Sequence, residues 1–162
     1  MTTRSRPAET PAVPLRTATL DDFSVVMHHR RAMFSDMGFE AHAVSAAMRA
    51  SEPFFRRCFE TNRYFGWLAE DGGRVVAGGG IVLLDYHAGP RDSRPQRPMV
   101  VNVFTEPSHR RHGLARQLMQ AMMAWAREAG FRGLYLHASR EGRPLYEALG
   151  FEPTNEMRLQ LD

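Results

Sequence analysis

The feature of this sequence that most constrains its fold is an apolar run, a basic turn and a long amphipathic segment in direct succession. Residues 100–104 (VVNVF) predict a buried strand, and residues 110–116 (RRHGLAR) predict a short turn. Apolar residues then recur at helical spacing from Leu114 to Trp125, which predicts a helix that ends at Gly130. A strand that leads through a glycine turn into a helix leaves unpaired N–H groups at the start of that helix.

This turn has the physical properties of an anion site. The helix dipole adds about half a positive charge where the unpaired N–H groups lie, and both favour phosphate oxygens. Gly113 and Ala115 leave room for a ligand near the backbone, while Arg110, Arg111 and Arg116 supply positive charge. The alternative is an arginine-rich surface loop before an ordinary helix. The chain contains no lysine and no three-glycine fingerprint, which excludes the commoner nucleotide loops.

Composition is typical of one domain in a reducing compartment. A chain of 162 residues is long enough to bury a core, and its net charge of +3 rests on arginine. The lone Cys58 excludes an internal disulfide, and no apolar run is long enough to cross a membrane. We therefore expect a cytoplasmic protein without membrane contact. Basic residues are not interleaved with aromatic ones, so a nucleic-acid-associated role remains only a minor alternative.

The first half of the chain predicts a tail, a strand, helices and a hairpin. Residues 1–13 are rich in Pro, Thr and charge and predict a flexible tail, with a single domain over residues 14–162. A strand over residues 15–18 precedes a helix from Thr19 to Met37, and a second helical region over residues 41–61 is expected to break near Pro53. Asp71-Gly72-Gly73 predicts a hairpin turn.

The second half predicts a strand–turn–helix–strand unit. A long irregular loop over residues 86–98 precedes the apolar strand, and residues 134–137 predict another strand after the amphipathic helix. A short helix over residues 142–149 and a last strand over residues 157–161 complete the chain. The sum is a mixed α/β domain.

A second motif lies about thirty residues after the basic turn. Residues 145–151 (LYEALGF) follow a predicted strand, and Arg110, Gly113 and Ala115 occupy the defined positions of a Gln/Arg-x-x-Gly-x-Gly/Ala loop. Together the two motifs resemble those of the GNAT superfamily of acyl-CoA-dependent N-acetyltransferases. The resemblance covers residues 99–151 well and the rest of the chain in element order. It implies a mostly antiparallel central sheet with splayed central strands and helices on both faces.

The resemblance also implies acetyl-CoA as cosubstrate, no metal, and roles for particular residues. The backbone of Val103, Phe104 and Thr105 would pair with the pantetheine arm, and Ser139 stands where the family often has asparagine. Tyr146 stands where many members carry the general acid that protonates the thiolate. The alternative for Tyr146 is a ring packed in the core. The pyrophosphate would lie on the loop made of Arg110, Arg111, His112, Gly113, Leu114, Ala115 and Arg116.

A general base is harder to assign. Residues 99–105 contain no acid, whereas some family members carry a glutamate on this strand. His137 is the best-placed substitute, with a structural histidine as the alternative, and Asp85 and Glu106 are further candidates. An acceptor amine of low pKa would need no base. Asp36 and Asp85 are candidates for attracting a cationic amine, against the alternative that both are simply solvated.

The sequence therefore predicts an N-acetyltransferase that acts by direct attack of an amine on acetyl-CoA. Cys58 is not expected to act as a covalent relay. The alternative from another class is a non-catalytic acyl-CoA sensor or partner-binding module. The acceptor amine, the acyl length and the oligomeric state stay open, with a homodimer among the options.

Overall fold

The centre of the molecule is a four-stranded antiparallel sheet. Over the residues that the computed structural model describes, 13–161, the strands are β1 (Leu15–Thr17), β2 (Tyr64–Asp71), β3 (Arg74–Asp85) and β4 (Gln96–Thr105), side by side in that order. Gly72 and Gly73 connect β2 to β3 with φ values of 57° and 77°. Two positive φ values are what a type I′ hairpin turn requires, so the predicted hairpin is confirmed.

Four helices accompany the sheet in the described part of the chain. They are α1 (Phe23–Asp36), α2 (Ala41–Glu60), α3 (Leu114–Glu128) and α4 (Arg143–Ala148). Short 3-10 turns over Leu20–Asp22 and Pro107–His109 precede α1 and α3. Gly38, Gly130 and Gly150 follow the ends of α1, α3 and α4 with positive φ, which glycine adopts without a Cβ clash.

The helices cover both faces of the sheet. Ile81 and Val82 are consecutive on β3 and fully buried, and their side chains therefore point to opposite faces. Val82 packs with Met48 and other residues of α1 and α2, whereas Ile81 packs with Leu118 and other residues of α3. Tyr146 of α4 packs on the same side as α3. The predicted mixed fold with helices on both faces is confirmed.

The predicted break in the second helical region is wrong. Helix α2 runs without interruption from Ala41 to Glu60 with Pro53 inside it. Proline removes one backbone hydrogen bond from a helix interior. Met48 before the proline and Phe55 after it are both buried in one core cluster, and this packing offsets the lost bond.

The two strands predicted near the C-terminus do not form. Of residues 134–137, only Tyr135 pairs with the sheet, in an isolated parallel bridge to Met99. Residues 157–161 are not a strand, and Met157 is 94% exposed. Alternation of apolar side chains sets the two faces of a strand, but a strand also needs a backbone partner.

The predicted tail lies outside the described residues except for Val13. The carbonyl of Val13 accepts a hydrogen bond from the Gln117 side chain at 2.8 Å, and Val13 packs against the core beside α3. Among residues 13–161, no helix combines the length and the apolar character needed to cross a membrane.

Candidate active site

A bulge in β4 marks the centre of the candidate site. Gly78 pairs with Phe104 and Gly80 with Val101, so two residues of β4 lie opposite Gly79 alone. One of them, Asn102, has a φ of 58°. Asparagine tolerates positive φ better than most residues, which explains its presence in an otherwise apolar strand. Three consecutive glycines of β3, Gly78 to Gly80, lie opposite this bulge, and glycines within a strand are typical of a bulge or of a close backbone approach.

Beyond the bulge, β4 diverges from the segment that follows α3. The N–H of Val100 donates to the Tyr135 carbonyl at 2.7 Å, and the Tyr135 N–H donates to the Pro98 carbonyl at 3.0 Å. No further strand pairing joins β4 to residues 136–139 in the described chain. We call the resulting gap between residues 101–105 and 136–139 the cleft.

Backbone groups of β4 face this cleft. The N–H of Glu106 donates to Val76 on β3 at 2.8 Å. Because successive residues of a strand direct their peptide groups to alternate edges, those of Thr105 and Val103 point away from β3. The cleft is therefore edged by hydrogen-bonding groups that the sheet itself does not use. Val103 and Thr105 are two of the three residues whose backbone was predicted to pair with a pantetheine arm; the third, Phe104, is paired with Gly78 of β3.

The start of α3 lies at one end of β4 and is open. Gly113 is the residue before α3, with a φ of 80° and no atom within 4 Å of where a Cβ would stand. No side chain in the described part of the chain caps the helix, so its first N–H groups keep their capacity to bind an anion. Arg111, His112 and Arg116 are exposed around this end, and no carboxylate of residues 13–161 forms an ion pair with them. Leu114 is buried and Ala115 is partly exposed.

Arg110 is already engaged. Its Nη2 lies 2.5 Å from Oδ2 of Asp36 at the end of α1, and its Nε donates to the Thr105 carbonyl at 2.9 Å. The guanidinium therefore joins the basic loop to α1 and occupies one acceptor at the cleft. The side-chain charge available to a phosphate comes mainly from Arg111 and Arg116, because Arg110 is shared with Asp36.

Tyr146 lies on α4, close to the turn that contains Ser139. Its ring contacts Phe151 with 6.0 Å between centroids and packs against the core beside α3. Its hydroxyl forms no hydrogen bond with the described residues. Burial raises the pKa of Tyr146 above its ordinary value, so the phenol is protonated at neutral pH. The ring packs as the core alternative expects, and the hydroxyl has no hydrogen-bond partner among residues 13–161, so the general-acid role stays a prediction.

Ser139 serves the local backbone. Its Oγ accepts a hydrogen bond from the Gly142 N–H at 3.0 Å, in the turn before α4. The hydroxyl hydrogen is still free to donate to a ligand. His137 is exposed at the cleft end of the segment that follows Tyr135, and it makes no hydrogen bond to the described residues.

The two other base candidates have partners. Asp85 forms an ion pair with Arg63, and this hydrogen-bonded guanidinium lowers the pKa of the carboxyl. A lowered pKa makes Asp85 a weaker base, and the pairing also reduces its attraction for a cationic amine. Glu106 is mostly shielded from solvent and lies 3.5 Å from Nε2 of His28. Asp36 is likewise paired, with Arg110.

The sequence did not predict a polar cluster on the face of β4 that α1 covers. Arg30 of α1 donates from Nη1 to Oδ1 of Asn102 at 3.0 Å and from Nε to Oγ of Ser51 at 3.0 Å. These residues are 72 and 21 positions away in the chain. The only signal available in the sequence was an asparagine within an apolar strand.

A known protein family has a sequence pattern that matches this chain. The sequence model of the acetyltransferase (GNAT) family matches residues 24–151, which include β4, α3 and α4. An uncharacterized N-acetyltransferase of Escherichia coli, YjgM, is 29% identical over 144 residues, which are 85% of this chain and 81% of that protein.

Solved structures agree with the family match. A GCN5-related N-acetyltransferase from Ralstonia eutropha superposes with a TM-score of 0.87 at 31% identity, over 93% of this chain and 99% of that one. A predicted acetyltransferase from Clostridium acetobutylicum, crystallised with acetyl-CoA, superposes with a TM-score of 0.82 at 25% identity, over 93% and 96% of the two chains.

Proposed function

Because this chain belongs to the GNAT family of acetyltransferases and is an N-acetyltransferase, we propose that it transfers the acetyl group of acetyl-CoA directly to a primary amine. The observation that carries the proposal is the cleft beside β4 together with the uncapped start of α3. A thioester substrate of this kind has a pantetheine arm, which needs a strand edge to pair with, and a diphosphate, which needs a site that binds negative charge. The relative crystallised with acetyl-CoA supports this cosubstrate.

The diphosphate of the substrate is held, in this proposal, by the N–H groups at the start of α3. Gly113 brings the backbone within reach, and Arg111 and Arg116 add charge-assisted hydrogen bonds. The backbone of Val103 and Thr105 pairs with the pantetheine arm, and Ser139 donates its hydroxyl hydrogen to the same arm. A backbone N–H of this strand holds the acetyl oxygen as negative charge develops on it.

The bond changes balance without a covalent enzyme intermediate. The amine nitrogen bonds to the acetyl carbon, the carbon–sulfur bond breaks, the nitrogen loses one proton and the sulfur gains one. The Tyr146 hydroxyl supplies the proton to sulfur. An ordinary phenol has a pKa of about 10 and a thiol one of about 8.5, so the transfer is uphill by about 2 kcal/mol even before burial raises the pKa of Tyr146, and the hydroxyl must be positioned.

The proton on nitrogen leaves before or during attack. An alkylammonium of pKa about 10.4 is mostly charged at neutral pH. Forming the neutral amine that attacks the thioester therefore costs about 4–5 kcal/mol. We propose His137 as the base, since it is exposed at the cleft and makes no hydrogen bond to another described residue. Glu106 acting through water is the second candidate. Cys58 is buried, and burial raises the pKa of its thiol, both of which argue against a covalent relay.

Steady-state assays with a panel of amines test the proposal. We expect CoA to be released only when an amine is present, with a stoichiometric N-acetylated product in the mass spectrum. The Cys58→Ala variant should retain this activity, and no acetylated enzyme should accumulate when the amine is omitted. Tight binding of acetyl-CoA without turnover of any amine would contradict the proposal and favour a sensor.

A further inference from the structure

A cavity of about 370 Å³ lies between α1, α2 and the face of β3 and β4 that these helices cover. Its size is at the low end of the roughly 300–1,000 Å³ of small-molecule sites. The walls are apolar or aromatic apart from two groups, the guanidinium of Arg30 and the hydroxyl of Ser51. Phe54, Met99 and Val101 are among the apolar residues.

Arg30 carries a positive charge into this cavity, and its hydrogen-bond partners there are uncharged. Its guanidinium lies over the rings of Phe34 and Phe55, 4.6 and 4.9 Å from their centroids, and its hydrogen bonds go to the neutral groups of Ser51 and Asn102. No carboxylate of residues 13–161 forms an ion pair with it. Burial lowers the pKa of Arg30, which reflects the cost of a charge in apolar surroundings. An anion in the cavity would offset that cost.

Asn102, the residue that accepts a hydrogen bond from Arg30, also has a poorly satisfied donor. This residue is 2% exposed, and its Nδ2 lies near the Tyr64 hydroxyl but makes no hydrogen bond of good geometry with the described residues. A buried donor without a partner is costly, and native proteins seldom keep one. Asn102 accepts the hydrogen bond of Arg30 through Oδ1 and does not itself line the cavity, so the group that would meet an anion there is the guanidinium of Arg30.

The cavity also lies next to the proposed transfer point. Met99 and Val101 line it, and Val103 directs its peptide groups to the cleft only two positions further along β4. The acidic residues expected to attract a cationic amine, Asp36 and Asp85, are both paired with arginines. Neither of these two carboxylates is free to attract a cationic amine, whereas Arg30 presents a positive charge to the cavity.

We propose that Arg30 binds the carboxylate of the acceptor, so that the substrates of this enzyme are free amino acids with apolar side chains. The inference deepens the proposed function and rests on it. Planar guanidinium groups bind carboxylates through paired hydrogen bonds, and the aromatic walls suit an apolar side chain. The products are then the N-acetylamino acid and CoA.

The test compares leucine, methionine and phenylalanine with their amides, which keep the amine and lose the carboxylate. In the wild type we expect turnover of the amino acids. Arg30→Gln should lower kcat/KM for them by about 10- to 100-fold, as loss of a charged hydrogen bond predicts, and should change kcat/KM for the amides by less than about 3-fold. Amino acids and amides differ in the pKa of their amines, but this difference cancels in the ratio of wild-type to Arg30→Gln kcat/KM for each substrate. Arg30→Lys, which keeps the charge, should recover part of the loss.

Arg31→Gln is the matched control, because Arg31 is the neighbouring arginine of α1 and is exposed. It should leave both substrate series unchanged. Equal losses of both series in Arg30→Gln, with unchanged affinity for acetyl-CoA, would show a structural role and overturn the inference. Turnover confined to amines without a carboxylate would also overturn it while leaving the proposed function intact. Absence of turnover with every amine would instead contradict the proposed function.

Binding provides a readout that does not depend on turnover. With CoA present, calorimetry should detect N-acetylleucine in the wild type, and Arg30→Gln should weaken this binding by about 10-fold or more. N-acetylleucinamide should bind both proteins equally. Equal affinity of the two ligands for the wild type would contradict carboxylate recognition at Arg30.

Discussion

Replacing Tyr146 with phenylalanine removes a single oxygen atom, and the structure allows the effect on stability to be predicted separately from the effect on catalysis. The ring packs against Phe151 and the core beside α3, and phenylalanine keeps these contacts. The hydroxyl has no hydrogen-bond partner among the described residues, so its removal leaves no donor or acceptor unpaired. We expect the free energy of unfolding to change by less than about 0.5 kcal/mol, which is about 1–2 °C in Tm for a chain of this size.

The effect on catalysis should be much larger. Without the phenol, the thiolate must leave unprotonated or take its proton from water. Loss of a general acid lowers rates by about 10²- to 10⁴-fold, and 10²-fold corresponds to about 2.7 kcal/mol in the transition state. We therefore expect kcat to fall at least about 10²-fold, while the Kd of acetyl-CoA changes by less than about 2-fold.

The assay is CoA release at saturating acetyl-CoA and amine, with calorimetry for the affinity of acetyl-CoA. Tyr135→Phe is the matched control, because Tyr135 is also partly buried and its hydroxyl makes no hydrogen bond to the described residues. This variant should keep wild-type kcat. An unchanged kcat in Tyr146→Phe would refute the general-acid role. A parallel loss of acetyl-CoA affinity would make Tyr146 a binding residue instead.

Three further predictions follow from the same geometry. Gly113→Ala and Gly73→Ala both place a Cβ at left-handed φ values of 80° and 77° in open space, so each should cost about 1–2 kcal/mol of stability. Only Gly113→Ala should also weaken acetyl-CoA binding, by about 10-fold or more in calorimetry, and equal binding by both variants would remove the loop from the site. Because burial raises the pKa of Tyr146, a profile of kcat against pH should show no loss of the acid below about pH 10, and an earlier alkaline limb would contradict the assignment. Burial lowers the pKa of His29 from 6.5 to about 4, so the folded state resists a proton that the unfolded chain accepts. Stability is then complete above pH 6.5 and falls by about 3 kcal/mol as the pH drops toward 4, and denaturant unfolding of His29→Leu should lack this fall.

Local patterns account for the parts of the site that lie close together in the chain. The residues from Val103 to Arg116 are neighbours in sequence, so strand, turn and helix signals could be read directly from them. The order of elements, the hairpin at Gly72 and Gly73 and the ends of three helices are local in the same sense, because each depends on the φ preference or hydrophobic period of a few residues.

Other features depend on which partner a residue meets, and sequence carries little information about that. The alternating apolar residues at 157–161 indicate a strand, but only the tertiary structure shows that no strand within residues 13–161 pairs with them. Pro53 indicates a break, but only the core on either side shows why α2 continues.

The charges of the site divide in the same way. The sequence by itself identified a basic loop, a phenol and the family to which they belong. Only the tertiary structure decided that Arg110 is paired with Asp36, 74 positions away, and that Arg30 faces an apolar cavity without a counterion among the described residues. The physical reason is that a side chain's charge is known from its type, whereas its solvent and its partners are set by contacts between distant segments.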